Sequence, residues 1–421
     1  MKIALVSYEY AGVGKGGGIG TYMRNLATAL AGRGHQVEVF TAADADEELE
    51  TENTNPKVHA VASNDRYRFM DDVLPAFTQR HNATDFDLLE APEFCADSLQ
   101  IAKTFPALPH VIKLHTPTEL IRDISRTYVT TASKLRFIAG ALARGRKPKP
   151  FWTAAHGDTE ICRHEREVTE TADMILAPSQ SILDIMGGRW TLQADRLMHL
   201  PNLFNPGDAL LNIPPHRGEK IITFLGKLEV RKGVTTLADA LPAFLKRFPD
   251  WKIEFVGRSM PYPGTGKDIK AMIDEQLAPY ADSIIHTGAV EYSKIPGILE
   301  NAAIIVLPSA WENYPYVCLE AMSAGRPVIG SNAGGMSEMI EDGHSGLLVP
   351  PMKSGDILKA LITLATDDDK RLAIGAAARS RALDVSNTDR LMDMQEAAYA
   401  AAIENARQKQ SHSIKSAEHA V

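Results

Sequence analysis

The stretch WENYPYVCLEAMSAGRPVIGSNAGGMSEMIEDGHSGLLVP, residues 311–350, carries more information about the fold than any other part of the chain. It follows the apolar run AIIVLPS (303–309) and ends in a second run, GLLVP (346–350), both typical of buried strands. Pro315 is suited to open a helix between them and Gly325 to end it. We therefore expect Glu312 in a loop at a strand end and Glu320 about one turn into the helix, at different depths of one cleft.

The same rhythm extends over the whole chain, because apolar runs alternate with segments of helical length. This pattern predicts α/β layers with a parallel sheet. The predicted strands are 2–7, 36–42, 86–91, 110–115 and 174–179 in the first half, and 220–226, 251–257, 283–288, 303–309, 327–331 and 346–350 in the second. Helices are expected at 19–32, 233–247 and 387–408.

One stretch interrupts the rhythm: PNLFNPGDALLNIPPHRGE (201–219) has four prolines, two glycines and no periodic segment. It predicts a linker between two doubly wound, Rossmann-like domains of similar size, 1–204 and 205–386. We expect helix 387–408 to cross back to the N-terminal domain and 409–421 to form a polar tail. Ligands of such sheets bind beyond the carboxyl ends of the strands, which here predicts a site in the cleft between the domains.

The composition of the chain argues against several classes of function. The 421 residues are 44% hydrophobic and 23% charged with a net charge of −8, which is typical of a globular protein without a nucleic-acid partner. Its three cysteines are scattered, which favours a reducing, cytoplasmic setting. No apolar run approaches the roughly 18 residues of a membrane span, so we expect a soluble or peripheral protein.

A glycine-rich loop, AGVGKGGGIGTYM (11–23), lies between the first predicted strand and helix, a position suited to binding an anion. The segment 12–17 satisfies G-x-G-x-x-G, but the second strand offers no acid for a dinucleotide ribose. A P-loop is excluded because Lys15 is followed by Gly16 instead of Ser or Thr. A plain turn without a ligand stays open as an alternative.

Taken in order, several segments resemble the retaining glycosyltransferases of the GT-B fold, specifically family 4 with its E-x7-E signature. The resemblance covers nearly the whole chain. Its segments are GGIGTYMRNLATALAGRGHQVEV (17–39), KLHTPT (113–118), FLGKLEVRKGV (224–234), the pair Glu312 and Glu320, and GGMSEMIEDGHSGLLV (334–349). It implies two Rossmann-like domains that face each other across a cleft, and a nucleoside diphosphate sugar as donor.

The resemblance also implies a role for individual residues. Those with a catalytic role are His115, Lys232 and Glu312. Those that bind the donor are Gly17, Gly18, Lys227, Arg231, Lys232, Val290, Glu312, Tyr316, Val317 and Glu320. The family uses protein cations in place of a metal, so no metal or other cofactor is expected.

On the phosphate side, the resemblance implies that Lys227 and Lys232 neutralise the diphosphate, while Arg231 reaches donor or acceptor and Gly18 approaches the terminal phosphate. Lys227 departs from the commoner Arg, so a point charge replaces a bidentate fork. Pro315 has no N–H to offer.

On the sugar side, the resemblance gives the ribose hydroxyls to Glu320 and the donor-sugar hydroxyls to Glu312. It sets Val290 against the base and gives His115 a hydrogen bond near the anomeric carbon. The string Asp44-Ala45-Asp46 matches a D-x-D metal motif, but its acidic surroundings favour plain solvation.

The implied reaction is metal-independent transfer of a sugar, with retention, from a UDP-, GDP- or ADP-sugar to a glycan, lipid-linked or small-molecule acceptor. Basic and apolar residues mixed over 132–150 predict peripheral contact with a membrane or binding of an anionic acceptor; a helix with a solvated face is the alternative. A GT-B-like epimerase or phosphorylase, and a non-catalytic nucleotide-sugar-binding protein, stay open as alternative functions.

Overall fold

The structure is a computed structural model that describes residues 1–13, 16–43, 54–127, 135, 138–140, 142–145, 159–215, 220–263 and 265–418, with the backbone alone at 126–127, 159 and 412–418. The chain divides into two compact units. Unit 1 comprises Met1–Ile121, Asp158–Asn205 and Ser386–Val421, and unit 2 comprises Arg122–Gly157 and Pro206–Val385. The boundary at 205/206 falls within the expected linker, and of the residues after Ile121 the described 122–127 group with unit 2.

Unit 1 is built on a parallel sheet of seven strands within the described residues. The strands are β1 (Lys2–Val6), β2 (Gln36–Ala43), β3 (Lys57–Ala62), β4 (Leu88–Pro92), β5 (His110–Lys113), β6 (Met174–Ala177) and β7 (Leu197–His199). Their spatial order is β3-β2-β1-β4-β5-β6-β7, so the chain order reverses beside β1. This is a doubly wound arrangement, in which ligands bind at the carboxyl edge near the reversal.

Unit 2 repeats the plan with six parallel strands in its described part. The strands are β8 (Ile221–Leu225), β9 (Lys252–Val256), β10 (Ile284–Gly288), β11 (Ile304–Leu307), β12 (Val328–Ser331) and β13 (Leu347–Val349). Their order is β10-β9-β8-β11-β12-β13, with the reversal between β8 and β11. The carboxyl ends of β8 and β11 therefore mark where a ligand is expected.

Helices cover the faces of both sheets. In the first half of the chain they are α1 (Gly18–Gly32), α2 (Phe69–Asp72), α3 (Leu74–Thr84), α4 (Leu99–Thr104), α5 (Thr118–Thr127), α6 (Thr159–Glu170) and α7 (Gln180–Gly187). In the second half they are α8 (Gly207–Leu211), α9 (Val234–Arg247), α10 (Ile269–Gln276), α11 (Ile295–Asn301), α12 (Tyr316–Ser323), α13 (Met336–Met339), α14 (Ser354–Thr366), α15 (Asp368–Val385) and α16 (Thr388–Glu418). Two short 3-10 turns, Val230–Lys232 and Tyr292–Lys294, also contribute to the site.

The apolar pattern of each element explains why it forms. Helix α1 buries Tyr22, Met23, Leu26 and Leu30, which recur at helical spacing on one face. Central strands such as β11 are buried along their full length, because helices cover both faces of a parallel sheet. Every predicted apolar run coincides with a strand, and the two-domain α/β fold expected from the sequence is confirmed.

The long helix α16 returns to unit 1, where its side chains meet a buried carboxylate. Glu90 on β4 accepts hydrogen bonds from Tyr22 (2.6 Å), Gln395 (2.8 Å) and Tyr399 (2.6 Å). Lys113 on the neighbouring strand is likewise fully buried and donates to the carbonyl of Leu200 at 2.5 Å. Helix α16 thus forms part of the buried interior of unit 1. Among the described residues, every helix is too short or too polar to cross a lipid bilayer.

Candidate functional site

The first carboxylate of the E-x7-E pair, Glu312, lies in the loop after β11 and is fixed by its own backbone. Its carbonyl accepts from the N–H of Gly335 at 2.8 Å, and the residue forms a parallel bridge with Gly334. Gly334 has a φ of +84°, and a Cβ there would collide with the Glu312 carbonyl. The two glycines of the segment NAGG therefore set where this carboxylate stands.

Two cations hold the Glu312 side chain. Lys232 Nζ lies 2.5 Å from Oε1, and Arg231 Nη1 lies 3.4 Å from the same oxygen. Arg231 also pairs with Glu229 at 2.8 Å. Both cations belong to the 3-10 turn that follows β8, so the ends of β8 and β11 bring the cluster together.

Burial and charge act in opposite directions on Glu312, whose side chain is only 12% exposed. Burial raises the pKa of the carboxyl, but the charges of Lys232 and Arg231 outweigh it and leave the pKa below its usual value. Glu312 is therefore ionised at neutral pH.

A small pocket opens beside this cluster, at the carboxyl edge of the unit 2 sheet. Its lining includes Leu225, Lys232, Leu307, Glu312, Pro315 and Val317. Pro315 is the N-cap of α12, and the first turn contains Tyr316 and Val317, as predicted. N–H groups in a first turn have no intrahelical acceptor and are suited to an anion. The pocket thus combines cations and a helix N-terminus.

The second carboxylate, Glu320, lies on α12 and is buried. Burial raises its pKa to about 7, and a hydrogen bond from the Tyr292 hydroxyl lowers it in part. Tyr292 is 62% exposed and comes two residues after Val290, in the segment that follows β10. Val290 is half-buried in that same segment. Lys227 follows β8 and is exposed, with no ion pair to another described residue.

In unit 1, His115 follows β5 at the carboxyl edge of the sheet, as predicted. Its backbone N–H donates to Glu93 at 2.7 Å, and the Tyr22 ring of α1 meets its imidazole edge-on at 5.2 Å between centroids. Burial lowers the pKa of His115 to about 3, and Lys113 and Arg66 add to the effect. The imidazole is therefore neutral at physiological pH, so it can hydrogen-bond but carries no charge.

The glycine loop meets the same edge of unit 1. Gly17 is the N-cap of α1, and a Cβ on it would collide with the carboxylate of Glu9. Glu9 forms an ion pair with Arg66, whose guanidinium also lies over the ring of Phe94 at 4.6 Å. A Cβ on Gly18, in contrast, would meet no atom within 4 Å. The fold itself leaves room for a side chain at Gly18.

Several of these residues escaped the sequence analysis. Glu93 directly follows β4 and Glu9 comes shortly after β1, so the strand-end rule that found His115 would have found them too. Arg66 and Tyr292 come from connections whose path only tertiary structure fixes. The D-x-D string 44–46 and Lys15 of the glycine loop lie outside the described residues, as does most of the basic stretch 132–150.

The sequence that forms these two units matches known protein families. The family described as "Glycosyltransferase Family 4" matches residues 16–207, and the family described as "Glycosyl transferases group 1" matches residues 212–381. The two matches together span both units.

Named relatives align with this chain over most of their length. A D-inositol 3-phosphate glycosyltransferase of Corynebacterium urealyticum is 26% identical over 420 residues, covering 91% of both chains. A glycogen synthase of Mycobacterium tuberculosis is 25% identical over 401 residues, covering 90% of both. Among solved structures, sucrose-phosphate synthase from Thermosynechococcus elongatus has a TM-score of 0.73 at 20% identity, covering 95% of this chain and 98% of that one.

A second solved structure is similar in fold: the Anabaena protein Alr3699/HepE in complex with UDP-glucose. Its TM-score is 0.64 at 19% identity, and the match covers 94% of this chain and 100% of that one. At this level of identity the likeness concerns the fold alone.

Proposed function

Because this chain belongs to the family 4 and group 1 glycosyltransferases of the GT-B fold, we propose that it is a retaining, metal-independent enzyme of that class. It transfers a sugar from a nucleoside diphosphate sugar to a hydroxyl group of an acceptor. The observation that carries the proposal is the cluster of Lys232, Arg231 and Glu312 beside the N-terminus of α12, at the carboxyl edge of the unit 2 sheet.

The first requirement of the reaction is to stabilise the diphosphate, because its negative charge increases when the bond to the sugar breaks. Lys232, Arg231 and the exposed Lys227 supply positive charge, and the first turn of α12, with Tyr316 and Val317, adds N–H dipoles. Because these protein cations can neutralise the diphosphate, we propose that the enzyme needs no metal ion. In unit 1, Gly17 and Gly18 present a helix N-terminus without a side-chain cap, where backbone amides suit a phosphate.

The sugar and ribose require acceptors of hydrogen bonds. Glu312 takes donor-sugar hydroxyls and Glu320 takes the two ribose hydroxyls, while Val290 lies against the base. Because His115 is neutral, it makes a polar contact with the sugar and does not act as a general acid. The departing phosphate removes the acceptor proton, and attack on the face that the phosphate leaves retains the anomeric configuration.

Substrate identity is proposed from the relatives. The Anabaena neighbour is described in complex with UDP-glucose, which supports a UDP-sugar ahead of a GDP- or ADP-sugar. Acceptors of the relatives include D-inositol 3-phosphate by name, and for this chain we propose a glycan, a lipid-linked sugar or a small molecule.

Peripheral membrane contact through 132–150 is part of the same proposal. Of the described residues there, Leu135 and Leu142 are 62% and 61% exposed, a suitable apolar surface in a stretch whose sequence is rich in basic residues. Sedimentation with anionic lipid vesicles tests it: neutralising Arg144, Arg146, Lys147 and Lys149 together should release the protein, and unchanged sedimentation would count against the contact.

The function is tested by incubating the protein with UDP-, GDP- and ADP-sugars and candidate acceptors, with and without EDTA. We expect transfer that EDTA leaves unchanged and an NMR coupling that shows the donor's anomeric configuration in the product. Lys232→Met should lower turnover by about a hundredfold or more, while Lys246→Met, at an exposed position on α9, should not. Loss of activity in EDTA would refute metal independence. An altered sugar released without an acceptor would indicate an epimerase, and donor binding without turnover a sensor.

A further inference from the structure

The cations proposed for the diphosphate are already engaged with a carboxylate of the same site. Lys232 lies 2.5 Å from Glu312, and Arg231 lies 3.4 Å from the same oxygen. Arg231 keeps a second partner in Glu229 at 2.8 Å, whereas Glu312 is the carboxylate that pairs with Lys232 within the described residues. A diphosphate that binds these cations therefore competes with Glu312 for them.

Displacement is costly for Glu312 unless it finds new partners. The side chain is 12% exposed, so water reaches it poorly, and a buried carboxylate that loses its counter-charge is strongly destabilised. Hydroxyl groups of a donor sugar are hydrogen-bond donors that can replace the lost cations. A nucleoside diphosphate without its sugar takes the cations and offers Glu312 nothing in return.

We propose that Glu312 is an internal substitute for the diphosphate, which exchanges its cations for sugar hydroxyls when the intact donor binds. The exchange rests on the proposed function and adds a consequence to it: the site discriminates between the donor and the product. Once the sugar has left, Glu312 competes again for Lys232 and Arg231 and weakens the hold on the nucleoside diphosphate. The ion pair therefore promotes product release.

The test is the affinity of wild type and Glu312→Gln for UDP, GDP and ADP, measured by calorimetry. This substitution keeps the shape of the side chain and removes its charge. We expect the variant to bind the nucleoside diphosphate about three- to tenfold more tightly than wild type. The corresponding nucleotide sugar should gain less or bind more weakly, and turnover should fall although the product binds better.

Two variants separate the exchange from a general change in charge. Glu229→Gln removes a carboxylate that contacts Arg231 but not Lys232, and should change the affinity less than about twofold. In a Lys232→Met background, Glu312→Gln should tighten binding less than in wild type, because only the longer contact to Arg231 is left for the two anions to compete for. If Glu312→Gln does not fold, Glu312→Asp, which shortens the reach to Lys232, should change affinity in the same direction.

The outcomes distinguish the two proposals. If wild type binds none of the three nucleoside diphosphates and none of their sugars, the proposed function is wrong and the exchange falls with it. If wild type binds one of them and Glu312→Gln binds it equally or more weakly, the exchange alone is wrong. Tightening of undiminished size in the Lys232→Met background would also overturn it.

Discussion

At the scale of single residues, the site contains a carboxyl group that titrates in the physiological range. Burial raises the pKa of Glu320 to about 7, so a large share of the molecules hold it protonated at neutral pH. Ribose hydroxyls donate hydrogen bonds and favour the ionised carboxylate. With Glu320 in its proposed place at the ribose, donor binding is linked to release of a proton.

We predict that the affinity for a nucleotide sugar increases about tenfold between pH 6 and 8, because the ionised form of Glu320 becomes dominant over that interval. A nucleotide sugar is the suitable probe, since its diphosphate has no proton to lose in this range. Calorimetry across the pH series measures the effect, and Glu320→Gln should bind weakly at every pH. A wild-type profile as flat as that of Glu320→Gln would show that Glu320 does not contact the ribose.

Tyr292 modulates this titration. Its hydroxyl donates to Glu320, and desolvation of that hydroxyl together with the charge of the carboxylate raises the pKa of Tyr292 to about 12, although the ring as a whole is exposed. Tyr292→Phe removes a hydrogen bond that favours the ionised carboxylate, so the pH at which donor affinity rises should shift upward. The same pH series measures the shift, and Tyr262→Phe, another tyrosine of unit 2, serves as the control. An unchanged midpoint would contradict the contact.

At the scale of elements, the two glycines at the start of α1 differ in how much space surrounds them. A side chain on Gly17 would displace Glu9, whereas one on Gly18 would meet open space. Alanine is also the better helix former, by about 1 kcal/mol at interior positions. The structure of unit 1 thus gives no reason for glycine at position 18.

We predict that Gly18→Ala leaves the free energy of unfolding unchanged or slightly higher, while donor affinity falls about tenfold or more because the added methyl group keeps phosphate from the amides. Urea unfolding and calorimetric binding measure the two effects. Gly34→Ala is the contrasting control: its φ of +85° is unfavourable for alanine, so it should lower stability without affecting binding. Normal donor affinity in Gly18→Ala would remove the loop from the donor site.

Strands β2 and β3 carry the clearest acid-sensitive contact. Glu38 accepts from Arg80 at 2.7 and 2.9 Å and lies 2.6 Å from the ring of His59. Burial raises the pKa of Glu38, but Arg80 and His59 outweigh it and lower the value to about 2 from 4.5. A lowered pKa in the folded state means that this stabilisation is present above about pH 4.5 and is lost as the pH falls towards 2.

We predict that Glu38→Gln lowers the free energy of unfolding by about 2 kcal/mol at pH 7 and that the difference from wild type shrinks on acidification. Urea unfolding at pH 7, 4 and 3 measures the trend. Glu404→Gln, at an exposed position on α16, should show neither effect. A difference that stays constant down to pH 3 would mean that Glu38 does not titrate as the contacts require.

The strands differ in how well the sequence alone predicts them. Buried central strands were predictable because helices on both faces require continuous apolar runs. β3 and β7 were missed because neither forms an apolar run: β3 (KVHAVA) is interrupted by a lysine and a histidine, and β7 (LMH) has only three residues. The edge strands β10 and β13 were predicted because each begins with consecutive aliphatic residues. In the site, the loop position of Glu312 and helix α12 were predictable from local spacing, whereas Lys232 was identified through the family resemblance. Arg66 and Tyr292 were not, because their contacts join segments that are distant in sequence.

At the scale of the whole molecule, unit 1 is discontinuous in sequence and depends on its last segment. Helix α16 supplies Gln395 and Tyr399 to Glu90, and its Asn405 donates to the carbonyl of Asp173 at 2.9 Å. Glu90 lies on β4 in the centre of the sheet, where water cannot replace a lost donor. The end of the chain therefore stabilises the strands from which His115 emerges.

Tyr399→Phe tests this dependence, because it removes one of the three donors from the fully buried Glu90 and adds no bulk. We predict that unit 1 loses about 1–3 kcal/mol of stability, while unit 2, to which Tyr399 does not belong, keeps its own. Scanning calorimetry with and without a nucleoside diphosphate measures this, and proteolysis before and after the first transition identifies the unit that opens. Arg33→Ala, which breaks ion pairs from exposed side chains to α16, should cost less stability than Tyr399→Phe. If Tyr399→Phe cost no more than Arg33→Ala, the helix would hold unit 1 by its apolar face and not through Glu90.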